Sequence, residues 1–285
     1  MPVRARPISS IMKLLCEHQG AGRAGGPPAG ATGRGRCAFT LIELLVIVAI
    51  IMLLAGILVP SLGNVWEITR RAICSAHLRG MHTALALYCG ENSGNFFPYR
   101  QKAEGGVLWY WGFEDTGAGA PEGARPIDQS KARLAPYITQ IAEKTCCPSF
   151  PRDYQYLKPK FDKCGYGLAI NRMMLAGVEP RRKWDQVGQP SQTVVWADSA
   201  QVNTWQAPAS PSNPLIEEWY YLDNCRNQPA NFHFRHAAQA NAVFAGGSVR
   251  SLKPFWLDER CDGLVGRPEE PSSPSEVSSL LQIDK

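Results

Sequence analysis

The chain lacks several short motifs that announce catalysis. It has no Gly-x-Ser-x-Gly elbow, no His-Glu-x-x-His pair and no glycine-rich phosphate loop, so the commonest nucleophile, metalloprotease and nucleotide-binding signatures are missing. Its Gly-Gly pairs fall near the N-terminus or in expected turns. No Cys-x-x-Cys occurs among the nine cysteines, which removes zinc-ribbon and thioredoxin-like patterns. There is no internal repeat of the kind that builds solenoids. Charge is sparse too. The net +5 of the chain resides in residues 1–38, where Arg4, Arg6, Lys13, Arg23, Arg34 and Arg36 face the single acid Glu17. The remainder is close to neutral, so the basic balance does not describe a folded surface and argues against a nucleic-acid partner.

What is present is one long apolar run. Phe39 to Val59 is uninterrupted except for Glu43, and Pro60 follows it. As a helix this run spans about 31 Å, enough to cross a bilayer core. A carboxylate inside it costs about 2.5–3.5 kcal/mol on insertion scales, so Glu43 needs a purpose. The Gly-, Ala- and Arg-rich segment 1–38 is expected to be a disordered basic leader, held on the cytoplasmic side by its charge. A secretory signal places its small-residue cleavage site after a short apolar core. Here the order is reversed: the small residue Ala38 precedes the run.

That arrangement resembles the N-terminal signal of type IV prepilins and type II secretion pseudopilins. The resemblance implies cleavage by a prepilin peptidase between Ala38 and Phe39, followed by N-methylation of Phe39. Counted from Phe39, Glu43 is the fifth mature residue and Pro60 the twenty-second, both matching the family. Ala38 stands where the family usually has Gly. Cleavage would create an amine at Phe39 on the helix face that carries Glu43, and an acid in the first turn complements the helix dipole. Glu43 is therefore expected to neutralise its own amine or a neighbouring subunit's, and in the family the second option sets register during assembly. An uncut single-span anchor with an incidental acid is the simpler alternative.

The expected organisation is a leader (1–38), a transmembrane helix (39–60), an amphipathic continuation (61–92), a globular domain (93–267) and a disordered Ser-, Pro- and Glu-rich tail (268–285). Pro60 is expected to kink the helix. Leu62, Val65, Trp66, Ile73, Ala76, Ala84 and Leu87 are read as its apolar face, with Arg71, Arg79 and His82 opposite. Strands are expected at 107–113, 193–197, 242–244 and 248–252, the last two joined through Ala245-Gly246-Gly247 by a tight primed turn. The fold class is α+β and pilin-like: a long N-terminal helix packed on a small antiparallel sheet.

A further series of segments resembles, in order, the pilin-like family whose C-terminal signature is His, nine residues, Asp-Gly. They are Cys74-Ser75-Ala76-His77-Leu78-Arg79-Gly80, the stretch from Tyr88 to Pro98, Leu134-Ala135-Pro136-Tyr137, Cys147-Pro148-Ser149, Tyr166-Gly167, the run from Pro190 to Ser199, and Phe234-Arg235-His236 followed by Asn241 to Gly247. At the signature itself His236 leads to Gly246-Gly247, so the turn glycine is retained and the carboxylate is absent.

Cys16 and Cys37 would leave with the leader, and the other seven cysteines would face an oxidising space. Seven is odd, so one thiol stays free or pairs between chains. Cys147 with Cys164 and Cys225 with Cys261 are plausible pairs. His233 and His236, with Asp198 and Asp223, contain ligand types for a metal, and the Asp223-Asn224 loop is a weak calcium candidate. Hydrogen bonding within the fold is the preferred reading, with no metal and no cofactor. Trp109-Tyr110-Trp111 and Trp184, Trp196, Trp205, Trp219 and Trp256 are read as core and rim, the alternative being a sugar-stacking platform.

The function expected from these features is a non-enzymatic structural subunit of a type II secretion pseudopilus or type IV pilus-like fibre. Its partners are the membrane, prepilin peptidase, other pseudopilin subunits and the secretion or pilus machinery. It would sit in the inner membrane with its C-terminal domain periplasmic. The alternatives are a membrane-anchored or fibre-tip binding protein that uses its aromatics on polysaccharide, and an uncut membrane-anchored enzyme resting on His236.

Overall fold

The computed structural model describes residues 40–117, 119–121, 124–140, 145–150, 155–162, 167–175, 183–222 and 231–268, without the side chains of 60–62. Residues 1–39, which include the expected leader and the Ala38–Phe39 junction, and the expected tail beyond Pro268 lie outside these residues. The chain forms two compact units, 1–62 and 63–285.

Within the first unit the described residues begin the helix α1 (Leu41–Glu91). Thr40 starts it. Its backbone N–H and hydroxyl donate to Glu43 Oε2 at 2.8 and 2.7 Å, and its hydroxyl oxygen accepts from the Glu43 N–H at 3.3 Å. This is a capping box, which satisfies orphan donors of the first turn from both directions. Leu41–Val59, 19 residues, is long and apolar enough to cross a membrane. Its side chains are exposed around the whole circumference, from Leu41 at 82% to Val48 at 40%, so lipid or other helices must cover every face. The helical backbone runs through position 60 without a break.

In the second unit the helix carries a buried stripe of Cys74, Leu78, Met81, Ala84, Leu85 and Cys89. Steps of three and four residues place these side chains on one face. The stripe differs from the face read in the sequence: Val65, Trp66, Ile73, Ala76 and Leu87 are exposed, Ala84 is buried as expected, and Leu78 and Leu85, outside the set read as apolar, are fully buried beside it. Apolar residues occupy more than one side of this segment, so spacing alone had two solutions. Helix α1 ends at Glu91, close to the expected boundary at 92, and is followed by Asn92-Ser93-Gly94. The Gly94 N–H caps the Cys89 carbonyl at 2.8 Å, and Gly94 takes a positive φ of 79°, a left-handed geometry that glycine adopts without steric cost.

The strands are β1 (Gln101–Ala103), β2 (Gly106–Trp109), β3 (Gly112–Asp115), β4 (Ile127–Asp128), β5 (Leu157–Lys158), β6 (Leu168–Asn171), β7 (Val194–Asp198), β8 (Gln201–Asn203), β9 (Leu215–Glu217), β10 (Tyr221–Leu222), β11 (Phe232–His233), β12 (Ala240–Phe244), β13 (Val249–Leu252), β14 (Pro254–Asp258) and β15 (Val265–Pro268). The central sheet has the order β10-β6-β7-β12-β13. Smaller sheets are β1-β2-β3-β4, β11-β15-β14 and β5-β9-β8. Most pairs are antiparallel, but β10–β6 and β5–β9 are parallel, a departure from a purely antiparallel domain. The expected strand 107–113 is instead the β2–β3 hairpin, with Tyr110 and Trp111 at its turn.

Every residue of β7 and β12 is buried, because the central sheet is covered on both faces. On one face Trp196, Ile170 and Val243 join Leu78, Met81 and Leu85 of the helix. On the other, Ala169, Val194, Ala242 and Phe244 pack with Phe232 and Phe234. Two-sided burial replaces alternation by continuous apolar runs.

Candidate functional site

Four segments far apart in sequence meet in the second unit. Cys74 comes from the buried stripe of α1, Cys147 from the Cys-Pro-Ser loop, Asp198 from the end of β7, and His236 from the turn after β11. All four are fully or almost fully buried, and one ligand-type atom of each lies within 4.8 Å of the others. The Cys74 thiol donates to Asp198 Oδ1 at 3.1 Å. Cys147 Sγ is 3.3 Å from His236 Nε2, which is 3.5 Å from Asp198 Oδ2. On the far side of the ring, His236 Nδ1 donates to Glu67 Oε1 at 3.2 Å.

The surroundings hold these groups in place. The Asn241 N–H donates to Asp198 Oδ2 at 2.7 Å. Arg235 lies with Nε 3.9 Å from Asp198 Oδ1, donates through Nη2 to the Gly167 and Ser199 carbonyls at 2.9 and 2.8 Å, and covers the Phe150 ring with its guanidinium carbon 4.4 Å from the centroid. Gly167 leaves room for this. A Cβ there would stand 2.3 Å from Arg235 Nη1 and 3.1 Å from the Cys147 Cβ.

Charge in the cluster follows from these contacts. Burial opposes ionisation of Asp198, but His236, Arg235 and the Asn241 amide outweigh it and keep the carboxyl below its ordinary range. Burial also opposes the charged form of His236, yet hydrogen bonds to Asp198 and Cys147 raise the imidazole to about 10. At Cys147 burial is again overcome, by the Cys74 thiol with Arg235 and His236, and the thiol falls to about 6. The hydrogen bond with Cys147, then burial, push Cys74 upward. These shifts favour negative charge on Asp198 and Cys147, positive charge on His236 and a protonated Cys74.

The pairings proposed for the cysteines are corrected here. Cys147 and Cys261 are free, as are Cys74 and Cys89, and the disulfide-bonded member of the adjacent pair is Cys146. Position in the chain could not separate two neighbouring cysteines that point to different environments. His233 does not join His236. It is buried against Asp262, with Nε2 2.8 Å from Oδ2, and burial with nearby Arg235 lowers it to about 4 despite that carboxylate. It is a neutral donor at pH 7. Asp223, Asn224, Cys164, Cys225 and Tyr166 lie outside the described residues. Cys74 and Cys147 were never grouped with His236 from sequence. The one available signal was that the segments Cys74–Gly80, Cys147–Ser149, Tyr166-Gly167, Pro190–Ser199 and Phe234–His236 form one ordered series; a residue from each of four of them touches this cluster, and Gly167 borders it.

The signature hairpin also departs from expectation. The Gly247 N–H donates to the Phe244 carbonyl at 2.8 Å and the Phe244 N–H to Ser248 at 2.9 Å. Only Gly247 of the two glycines has a positive φ, 83°. The connection is therefore a type I turn followed by a left-handed residue, not a two-residue primed turn. Gly246 needs no special backbone, and a Cβ there meets the Pro190 oxygen at an ordinary 3.5 Å. His236 takes its carboxylate partners from Asp198 and Glu67.

The tryptophans do not form one platform. Trp111 and Trp196 are buried in the core, and Trp205 and Trp256 are exposed on separate elements. Trp109, Trp111, Trp219 and Tyr220 line a cavity of about 150 Å³, below the roughly 300–1,000 Å³ of most small-molecule sites.

At the N-terminal signal, Glu43 is held by Thr40 and the following segment is the apolar stretch Leu41–Val59. Residues 33–59 match the family described as Prokaryotic N-terminal methylation motif. The segment is thus a type IV pilin-like signal, and its processing by a prepilin peptidase and assembly with other pilin-like subunits follow from the motif. No curated protein and no solved structure matches the chain.

Proposed function

We propose that this chain is a non-enzymatic structural subunit of a type II secretion pseudopilus or a type IV pilus-like fibre, cut between Ala38 and Phe39 and N-methylated at Phe39. The observation that carries this reading is the methylation motif at 33–59 laid over a capped helix start and a 19-residue apolar span. The exposed Val65, Trp66, Ile68 and Ile73 farther along α1 support it, because they offer apolar surface for neighbouring helices. In this reading the inner membrane holds the subunit before assembly, the second unit lies on the periplasmic side, and Pro60 adjusts the helix where it leaves the bilayer.

Glu43 has two tasks in this account. In the single chain its carboxylate completes the capping box with Thr40. In the fibre it exchanges that contact for the N-terminal amine of a neighbour and fixes register. Gln can complete a capping box but cannot pair as an anion. Glu43→Gln is therefore expected to insert normally and fail to enter fibres, as measured by membrane fractionation and by shearing of surface or periplasmic filaments. Normal assembly of that variant would remove Glu43 from the register mechanism.

The reading as a whole is tested at the mature N-terminus. Mass spectrometry of the membrane fraction, with and without a co-expressed prepilin peptidase, is expected to give a peptide beginning with N-methyl-Phe39 only when the peptidase is present. An intact leader in the presence of active peptidase would replace the fibre subunit by a static membrane anchor.

A further inference from the structure

We infer that Cys74, Cys147, Asp198 and His236 form a structural zinc site that fastens helix α1 to the central sheet of the second unit. The inference stands apart from the pilin-like signal and would hold for an uncut anchor as well.

The donor set is the first argument. Two sulfurs, one imidazole nitrogen and one carboxylate oxygen suit a borderline-soft divalent cation, and four protein ligands with no opening to solvent describe a structural site. Spacing is the second. Tetrahedral zinc with bonds of about 2.0–2.3 Å separates adjacent ligand atoms by about 3.3–3.8 Å. With Asp198 Oδ1 as the ligand oxygen, the observed separations of 3.1 Å for Cys74 Sγ–Asp198 Oδ1 and 3.3 Å for Cys147 Sγ–His236 Nε2 fall close to those edges, and one ligand atom from each of the four residues lies within 4.8 Å of the others.

The third argument lies outside the ligands. Metal-bound histidines commonly give their second ring N–H to a carboxylate, which fixes the tautomer and aims the other nitrogen at the metal. His236 has this arrangement: Nδ1 faces Glu67 and Nε2 faces the cluster. The second oxygen of Asp198 is likewise held, by the Asn241 amide. A cysteine pair meant only to oxidise needs neither device.

The chemistry balances: zinc forms four coordinate bonds to two thiolates, a neutral imidazole Nε2 and one carboxylate oxygen, and any proton on these ligand atoms passes to solvent as the metal binds. Three anionic ligands leave the filled site at −1, and the Arg235 guanidinium beside Asp198 offsets it.

The test uses the full-length chain, extracted in detergent under reducing conditions, stripped with a chelator and titrated with Zn²⁺ or Co²⁺. Expected are one equivalent of zinc per chain and, with Co²⁺, the intense visible bands of a tetrahedral site with sulfur-to-metal charge transfer. Cys147→Ser and His236→Gln should weaken binding at least tenfold. Glu67→Gln, which alters only the orienting partner, should weaken it by about 10–100-fold, and Cys261→Ser should leave it unchanged. The Co²⁺ spectrum of the unmutated chain keeps the test decisive if a variant fails to fold. A folded chain without stoichiometric zinc or tetrahedral Co²⁺ bands would overturn the inference. So would a Cys74–Cys147 disulfide in chain recovered from its membrane, or full binding by the Cys74→Ser/Cys147→Ser double variant.

Discussion

Individual residues divide into those held by backbone conformation and those held by burial. Gly247 belongs to the first group. Its φ of 83° is a conformation that costs an L-residue roughly 1–2 kcal/mol, whereas Gly246 beside it has an ordinary backbone and room for a side chain. Gly247→Ala is expected to lower stability by about 1 kcal/mol and Gly246→Ala to change it by less than about 0.5 kcal/mol. Denaturant midpoints of the detergent-solubilised chain measure both. Equal effects at the two positions would contradict the turn geometry.

His233 belongs to the second group. Its ordinary pKa is near 6.5, and burial with Arg235 brings it to about 4 in the fold. The unfolded chain therefore accepts a proton, as pH falls below about 6.5, that the folded chain refuses until about 4. This group contributes nothing to the pH dependence above that window and removes stability as the pH falls through it. The wild type should lose stability more steeply than His233→Gln between those limits in pH-dependent unfolding. Parallel curves would show that His233 does not titrate differently in the two states.

Among the elements, helix α1 shows how packing resolves an ambiguous pattern. Its buried stripe includes Leu78, fully enclosed, while Ile73 is 41% exposed and Leu87 is 52% exposed. Large-to-small changes are costly where they open a cavity in close-packed surroundings. Leu78→Ala should cost about 2–5 kcal/mol and Leu87→Ala less than about 0.5 kcal/mol, read as shifts in thermal unfolding of the full chain. The opposite ranking would restore the face read from sequence spacing. The β2–β3 hairpin carries a related lesson. An apolar run of seven residues, 107–113, reads as one strand, but Tyr110 and Trp111 turn the chain and still bury their rings. Trp111 stacks on Tyr220 at 4.1 Å between centroids. Aromatic side chains can occupy a turn when the core lies directly beneath it, which removes the polar punctuation that normally marks a turn.

For the molecule as a whole, the local and the distant parts were legible to different degrees. The leader charge, the apolar span, Glu43 and the methylation motif depend on residues adjacent in sequence, so the chain alone specified them: hydrophobic length and charge order act through lipid and through a short helix, without a tertiary partner. The apolar parts of β7 and β12, 194–197 and 242–244, were also readable, because burial on both faces leaves a run that needs no neighbour to be seen. The helix face, the free state of Cys147 and the gathering of Cys74, Cys147, Asp198 and His236 were decided only by tertiary structure. Those residues are separated by tens of positions, and their chemistry depends on which side of α1 meets the sheet and on how the β7 end, the Cys-Pro-Ser loop and the turn after β11 are brought together. Local pattern carries no information about that approach; packing does, since a single helix rotation and a single strand order bury the apolar groups while giving Asp198 and His236 partners for their charge.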